Sequence, residues 1–138
     1  KLWSTYEIIG VSLLDMKAWN WLYQNPDAKP EELKEAIVSI AKEIWNTYYA
    51  DIFKIKDRPI LAIYSHLINS ALYLPDYPLG QIIAFQIEKF LEGKNLGQEM
   101  EKMCRAGKLT PQLWMKLAVG SSISAEPLLD AVDEALKK

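Results

Sequence analysis

The sequence predicts an all-α fold, about seven helices in an irregular bundle with no β-sheet. Three observations lead there. Apolar residues recur at three- and four-residue spacing through long stretches of the chain. Prolines, glycines and small polar residues fall between those stretches, at positions where helices start and stop. No stretch alternates apolar and polar residues as a half-buried strand would.

The 138 residues read as a single all-helical segment, long enough to bury a core without disulfides or metal staples. Hydrophobic residues make up 50% and charged residues 25%, an ordinary globular balance. A net charge of −2 leaves no basic footprint for nucleic acid. No apolar run is long enough for a transmembrane segment, so a soluble protein is expected. Five Trp, seven Tyr and three Phe call for core or interface positions, with a partner for each buried polar tip. Cys104 is the sole cysteine. It excludes an internal disulfide and reads as a buried or neutral thiol.

The elements follow in order. Ser4 and Glu7 form a capping-box pair, which predicts a first helix from about Thr5 to Tyr23, ahead of Asn25-Pro26. Tyr6, Ile9, Leu13, Met16, Trp19 and Leu22 mark one face. Ile8, Val11, Leu14 and Trp21 widen it, and only Glu7, Asp15 and Lys17 are charged. A helix apolar on most sides belongs inside a larger body. Pro30, with Glu31 and Glu32 in the first turn, opens a second helix. Its core row is Leu33, Ile37, Ile40, Ile44, Tyr48 and Ile52. Lys54–Arg58 is a charged connector. Pro59 starts a third helix to about Tyr73, with Ile60, Ile63, Leu67 and Ala71 inward. Pro75 and Pro78 bracket a corner, and a fourth helix runs from Pro78 to Leu91, stopped by Gly93. Asn95, Thr110-Pro111 and Ser124 open three more, and Gly107 and Gly120 close two of them.

Few residues carry chemistry. There is one histidine, His66, and no HExxH, Cys/His cluster or phosphate-binding glycine loop. The usual zinc ligand set is therefore missing from the chain. In a continuous third helix, His66 and Tyr73 would share one semi-polar face, about 10 Å apart along the axis. Tyr77, just before Pro78, would be the N-cap of the fourth helix. A neutral His can donate to a peptide carbonyl, and a tyrosine hydroxyl to an oxyanion. By periodicity alone the same residues also read as a satisfied core histidine and packing tyrosines.

Four stretches carry a family resemblance: EIIGVSLLDMKAWNWLY at 7–23, IWNTYYADIF at 44–53, ILAIYSHLINSALYLPDYPLGQIIAFQIEKFL at 60–91 and WMKLAVGSSISAEPLLDA at 114–131. In order and joint presence they resemble the C-terminal part of a zinc metallopeptidase of the thimet oligopeptidase and oligoendopeptidase F superfamily, closest to its bacterial oligoendopeptidase-like members. The resemblance implies a segment of a larger metallopeptidase catalytic domain. His66 would donate to a substrate carbonyl and Tyr77 would serve the oxyanion. Tyr73 would position the peptide substrate, and Gly80 would be the glycine of the family's Tyr-x-x-Gly corner. It implies zinc in the full-length enzyme, held by an HExxH helix and a later glutamate outside this chain. The opening on Lys1 rather than Met suggests a processed or excised segment. The isolated chain is then expected to bind no catalytic zinc and to be inactive. Its partners would be the missing N-terminal part of the enzyme and a peptide, with self-association through the apolar face of the first helix. The alternative is a stand-alone helical binding module without a catalytic role, with His66 buried and the first helix enclosed.

Overall fold

The computed structural model describes residues 2–137, apart from the side chain of Ile68. Their regular structure is all helical, with no strand among the described residues, as the periodicity predicts. The helices are α1 (Leu2–Gln24), α2 (Pro30–Tyr48), α3 (Ala50–Phe53), α4 (His66–Asn69), α5 (Asp76–Leu91), α6 (Leu96–Arg105), α7 (Pro111–Ala118) and α8 (Glu126–Leu136). A 3-10 turn covers Ile60–Ile63. The chain forms two compact units, one through Pro78 and one from Leu79 onward.

In the first unit α1 packs along α2. The helix begins at Leu2 and carries Ser4 inside it, so the expected capping box is not used. Trp3 explains the extra turn, since its ring lies 5.9 Å from both Tyr6 and Phe53 and gains that packing only in a helical first turn. Asn25 closes the other end, its side-chain amide donating to Trp21 O at 2.8 Å. The buried stripe is also not the expected one. Val11, Leu14 and Ala18 are buried, whereas Ile9 and Met16 from the expected face are 36% and 44% exposed. The inward face also carries Gly10, against which the Tyr49 ring packs, and Ser12 and Asp15, which partner backbone groups of Leu74.

α2 contributes Ile37, Ala41, Ile44 and Trp45 to this core. Its expected row is right through the middle, but Tyr48 and Ile52 are exposed. The helix breaks at Tyr49, which turns inward. Tyr49 stacks on Trp45 at 5.5 Å and packs on Tyr6 at 4.8 Å. Its hydroxyl donates to Tyr6 O at 2.8 Å. Burial, followed by the neighbouring Tyr6 phenol, pushes the Tyr49 phenol up to about 12. The connector is held by α2: Trp45 Nε1 donates to Ile55 O at 2.7 Å. Asn46 both donates to the Asp57 carboxylate and accepts from its backbone N–H, each at 2.8 Å.

The third helix predicted from Pro59 to Tyr73 is not continuous. It is replaced by the 3-10 turn, extended backbone at Tyr64 and the single turn α4. Packing explains the break. Leu61 and Leu67 are both buried, yet six residues apart on one helix they would point about 120° apart at 3.6 residues per turn. Breaking the helix at Tyr64 brings both into one core and leaves Ile60 and Ile63 exposed.

The second unit packs Met103, Met115, Ala118 and Val119 with Ile83, Ile87, Phe90, Leu91, Trp114 and Ile123. Gly93 and Gly120 take the left-handed conformation at the expected stops, with φ of 72° and 83°. Asn95 caps α6 by accepting from Gln98 N at 3.1 Å. Buried Gln86 organises the loop before α8, donating to Ser121 Oγ and Ser122 O and accepting from Ser124 N. Cys104 is exposed, so of the buried or neutral thiol expected there the burial is not found.

Gly10 supplies a direct check on the α1–α2 packing. A Cβ there would fall on the Tyr49 hydroxyl and within 2.7 Å of its Cζ, and the stacked ring cannot retreat. Gly10→Ala should destabilise the protein by about 1–3 kcal/mol, the usual cost of overpacking, despite its better helix propensity. An unchanged melting temperature would show that Tyr49 does not sit against this face of α1.

Candidate functional site

The three aromatic residues singled out by sequence meet at one corner of the first unit. His66 opens α4. The chain then reverses through Ser70 and through Leu72, whose φ of 54° is left-handed. For a non-glycine residue that conformation costs about 1–2 kcal/mol, so something must hold it. The reversal lays Tyr73 over His66, with ring centroids 5.3 Å apart and planes inclined by 28°. The expected separation along a single helix is therefore corrected to direct stacking. Tyr77 meets Tyr73 edge-on at 5.3 Å, and its hydroxyl donates to the Tyr73 hydroxyl at 3.0 Å.

Tyr77 is not an N-cap. It is the second residue of α5, which Asp76 opens. Pro78 disfavours helical geometry at the residue before it. Two contacts offset that cost: Tyr77 N–H donates to Leu74 O at 3.2 Å, and its ring has the edge contact with Tyr73. Donation to Tyr73 is the main cause that raises the Tyr77 phenol above its ordinary value of 10.0, with partial burial and the Tyr73 charge adding to it. Tyr73 and Tyr77 are 42% and 46% exposed, and His66 is half-buried. Among the described residues no hydrogen bond engages the imidazole nitrogens. Gly80 lies one turn further along α5 in the second unit, with open space where a Cβ would stand.

What anchors the corner was not foreseen as part of the site. Leu74, buried to 1%, is gripped through its backbone by α1. Its N–H donates to Asp15 Oδ2 at 3.2 Å. Its carbonyl accepts from Ser12 Oγ at 2.9 Å, a hydroxyl shared with Ile8 O at 2.7 Å. Asp15 is fully buried. Burial raises its pKa from 3.8, and the backbone of Leu74 and Leu72 and the Trp19 indole N–H partly offset this. Neither Asp15 Oδ1 nor Trp19 Nε1 has a partner in full hydrogen-bond geometry. The sequence did carry one signal for Asp15, a lone carboxylate in the apolar middle of α1.

The corner thus presents imidazole and phenol donors to solvent from a braced backbone. It can orient a carbonyl-bearing ligand and donate to developing negative charge. Among the described residues no three His, Cys, Asp or Glu side chains converge to hold a metal ion, so the donor set here does not fit a zinc centre. Comparison with protein-family models, curated proteins and solved structures gives no match to this chain.

Asp15 makes stability depend on pH. A carboxyl whose folded pKa lies above its unfolded value contributes fully below the unfolded pKa, and the contribution fades as pH rises through the folded pKa. The protein should therefore lose stability as pH rises from below 3.8 towards neutrality, on top of any background trend. Asp15→Asn, which keeps an acceptor for Leu74 N–H but cannot ionise, should flatten that slope in denaturant titrations at several pH values. Identical slopes for the two proteins would contradict the burial of an ionisable Asp15.

Proposed function

We propose that this chain is the C-terminal helical segment of a zinc-dependent peptidase, supplying one wall of the substrate cleft. The observation that carries the reading is the stacked group of half-buried His66 with exposed Tyr73 and Tyr77. These three residue types are the ones the peptidase resemblance assigns to carbonyl binding and oxyanion support. Zinc and its ligands belong, on this reading, to polypeptide outside the 138 residues. The chain's own residues orient the peptide and donate hydrogen bonds.

The hydroxyl contact couples the two phenols at 3.0 Å. Either hydroxyl can rotate, so on ligand binding Tyr77 can donate outward while accepting from Tyr73. A donor that itself accepts a hydrogen bond is a stronger donor. Tyr77 then serves the oxyanion with Tyr73 behind it positioning the peptide, and His66, whose ring lies against Tyr73, reaches the neighbouring carbonyl.

Exposed apolar surface supports the same reading. Ile9, Met16 and Tyr23 lie at seven-residue intervals on α1, which places them on one stripe, and they are 36%, 44% and 68% exposed. An apolar cleft of about 400 Å³ opens between Trp3, Trp45, Phe53, Ile60 and Ile63. A stand-alone module would enclose such surfaces, whereas a segment of a larger body leaves them for its neighbours.

The reading predicts an HExxH encoded in frame upstream of Lys1. In that longer enzyme Tyr77→Phe should lower kcat by about 10²–10³, the scale of losing one oxyanion donor, with zinc content unchanged. Tyr73→Phe should cost less. The 138-residue chain alone should hydrolyse no peptide. A start codon directly before Lys1, or stoichiometric zinc and peptidase activity in the 138-residue protein, would overturn the proposal.

A further inference from the structure

We propose that Ser12 and Asp15 are positioning residues for the corner site, holding Tyr73 and Tyr77 in hydroxyl contact through the backbone of Leu74. The two side chains stand three residues apart on α1 and so project from one face of it. One binds the Leu74 N–H and the other its carbonyl. That carbonyl also accepts the Tyr77 N–H. It therefore links Ser12 to the backbone of one tyrosine, while the Leu74 N–H links Asp15 to the peptide that follows the other. The Leu74 side chain is buried in the same core as Val11, Leu14 and Leu67, so the corner can neither slide nor rotate without breaking a buried hydrogen bond.

The alternatives for these two residues are weaker. Neither touches solvent, since Ser12 is 3% exposed and Asp15 fully buried, so neither can meet a substrate. A buried carboxylate is a costly way to fill a core, and an apolar residue would pack α1 better. The cost is accounted for if the backbone of Leu74 has to be held beside the left-handed turn at Leu72. Two side chains gripping the successive peptide units on either side of one residue, from a rigid helix, is an arrangement that can fix donors to the tolerance catalysis requires. The catalytic consequence rests on the peptidase reading. The positioning itself does not.

The test uses the Tyr77 phenol as a reporter, in the 138-residue protein. Ring contacts between Tyr73 and Tyr77 and the Tyr77 titration are followed by NMR, with helix content measured alongside. In the Ser12→Ala/Asp15→Ala double variant the ring contacts should disappear and the Tyr77 titration should fall back to that of an ordinary phenol. Asp15→Asn alone should keep both, because its amide oxygen can still accept from Leu74 N–H. A folded double variant with both signals intact would overturn the proposal. If the double variant does not fold, Ser12→Ala alone decides: weakened ring contacts and a lowered Tyr77 midpoint support the proposal, and unchanged ones overturn it.

In the longer enzyme the double variant should lower kcat by about tenfold or more at little-changed KM, as misplaced donors do. Loss of the ring contacts with kcat unchanged would sink the catalytic role of the corner and leave the positioning standing. An inactive wild-type enzyme would sink the peptidase reading, and the NMR result would still decide the positioning.

Discussion

The first unit depends on one captured residue. Leu74 has its N–H on Asp15, its carbonyl on Ser12 and Tyr77, and its side chain in the core. A loop between two helices normally turns its backbone to water, because buried amides without partners are costly. Here α1 supplies the partners from its own inward face. That explains why a helix otherwise apolar on most sides spends a serine and an aspartate on buried positions. It also explains how Leu72 is kept left-handed without a glycine.

From that capture the geometry of the corner follows. The reversal at Leu72 folds Tyr73 back over His66, and the Leu74 carbonyl starts α5 by taking the Tyr77 N–H. The two phenols are then close enough to form a hydrogen bond while staying half-exposed. The site is a braced, half-exposed corner that presents donors. The exposed stripe of Ile9, Met16 and Tyr23 and the open apolar cleft beside Trp3 fit the same picture.

Much of the fold was legible in the sequence because local chemistry decided it. Gly93 and Gly120 stop helices where only a left-handed residue fits, Asn95 caps by side-chain acceptance, and Pro30 and Pro111 open helices without needing an N–H. The residues of the corner were legible as well, as the lone histidine and two tyrosines around a proline break. Their geometry was not. A continuous 3–4 rhythm through Ile60, Ile63 and Leu67 hid the demand that Leu61 and Leu67 share one core, which only tertiary packing enforces. The same competition defeated the Ser4 cap, where packing of Trp3 on Phe53 outweighed a local hydrogen bond. Asp15 was visible as an odd charge in an apolar helix, but its partner lies 59 residues away and no spacing rule reaches that far.

The most direct test of this account is the amide hydrogen exchange of Leu74. Held by a buried carboxylate and enclosed by the core of the first unit, that N–H should exchange as slowly as the amides in the middle of α1. It should also speed up sharply in Asp15→Ala, with the rest of α1 still protected. Exchange of Leu74 at the rate of an open loop, alongside a protected α1, would mean that helix and corner are not joined through this peptide.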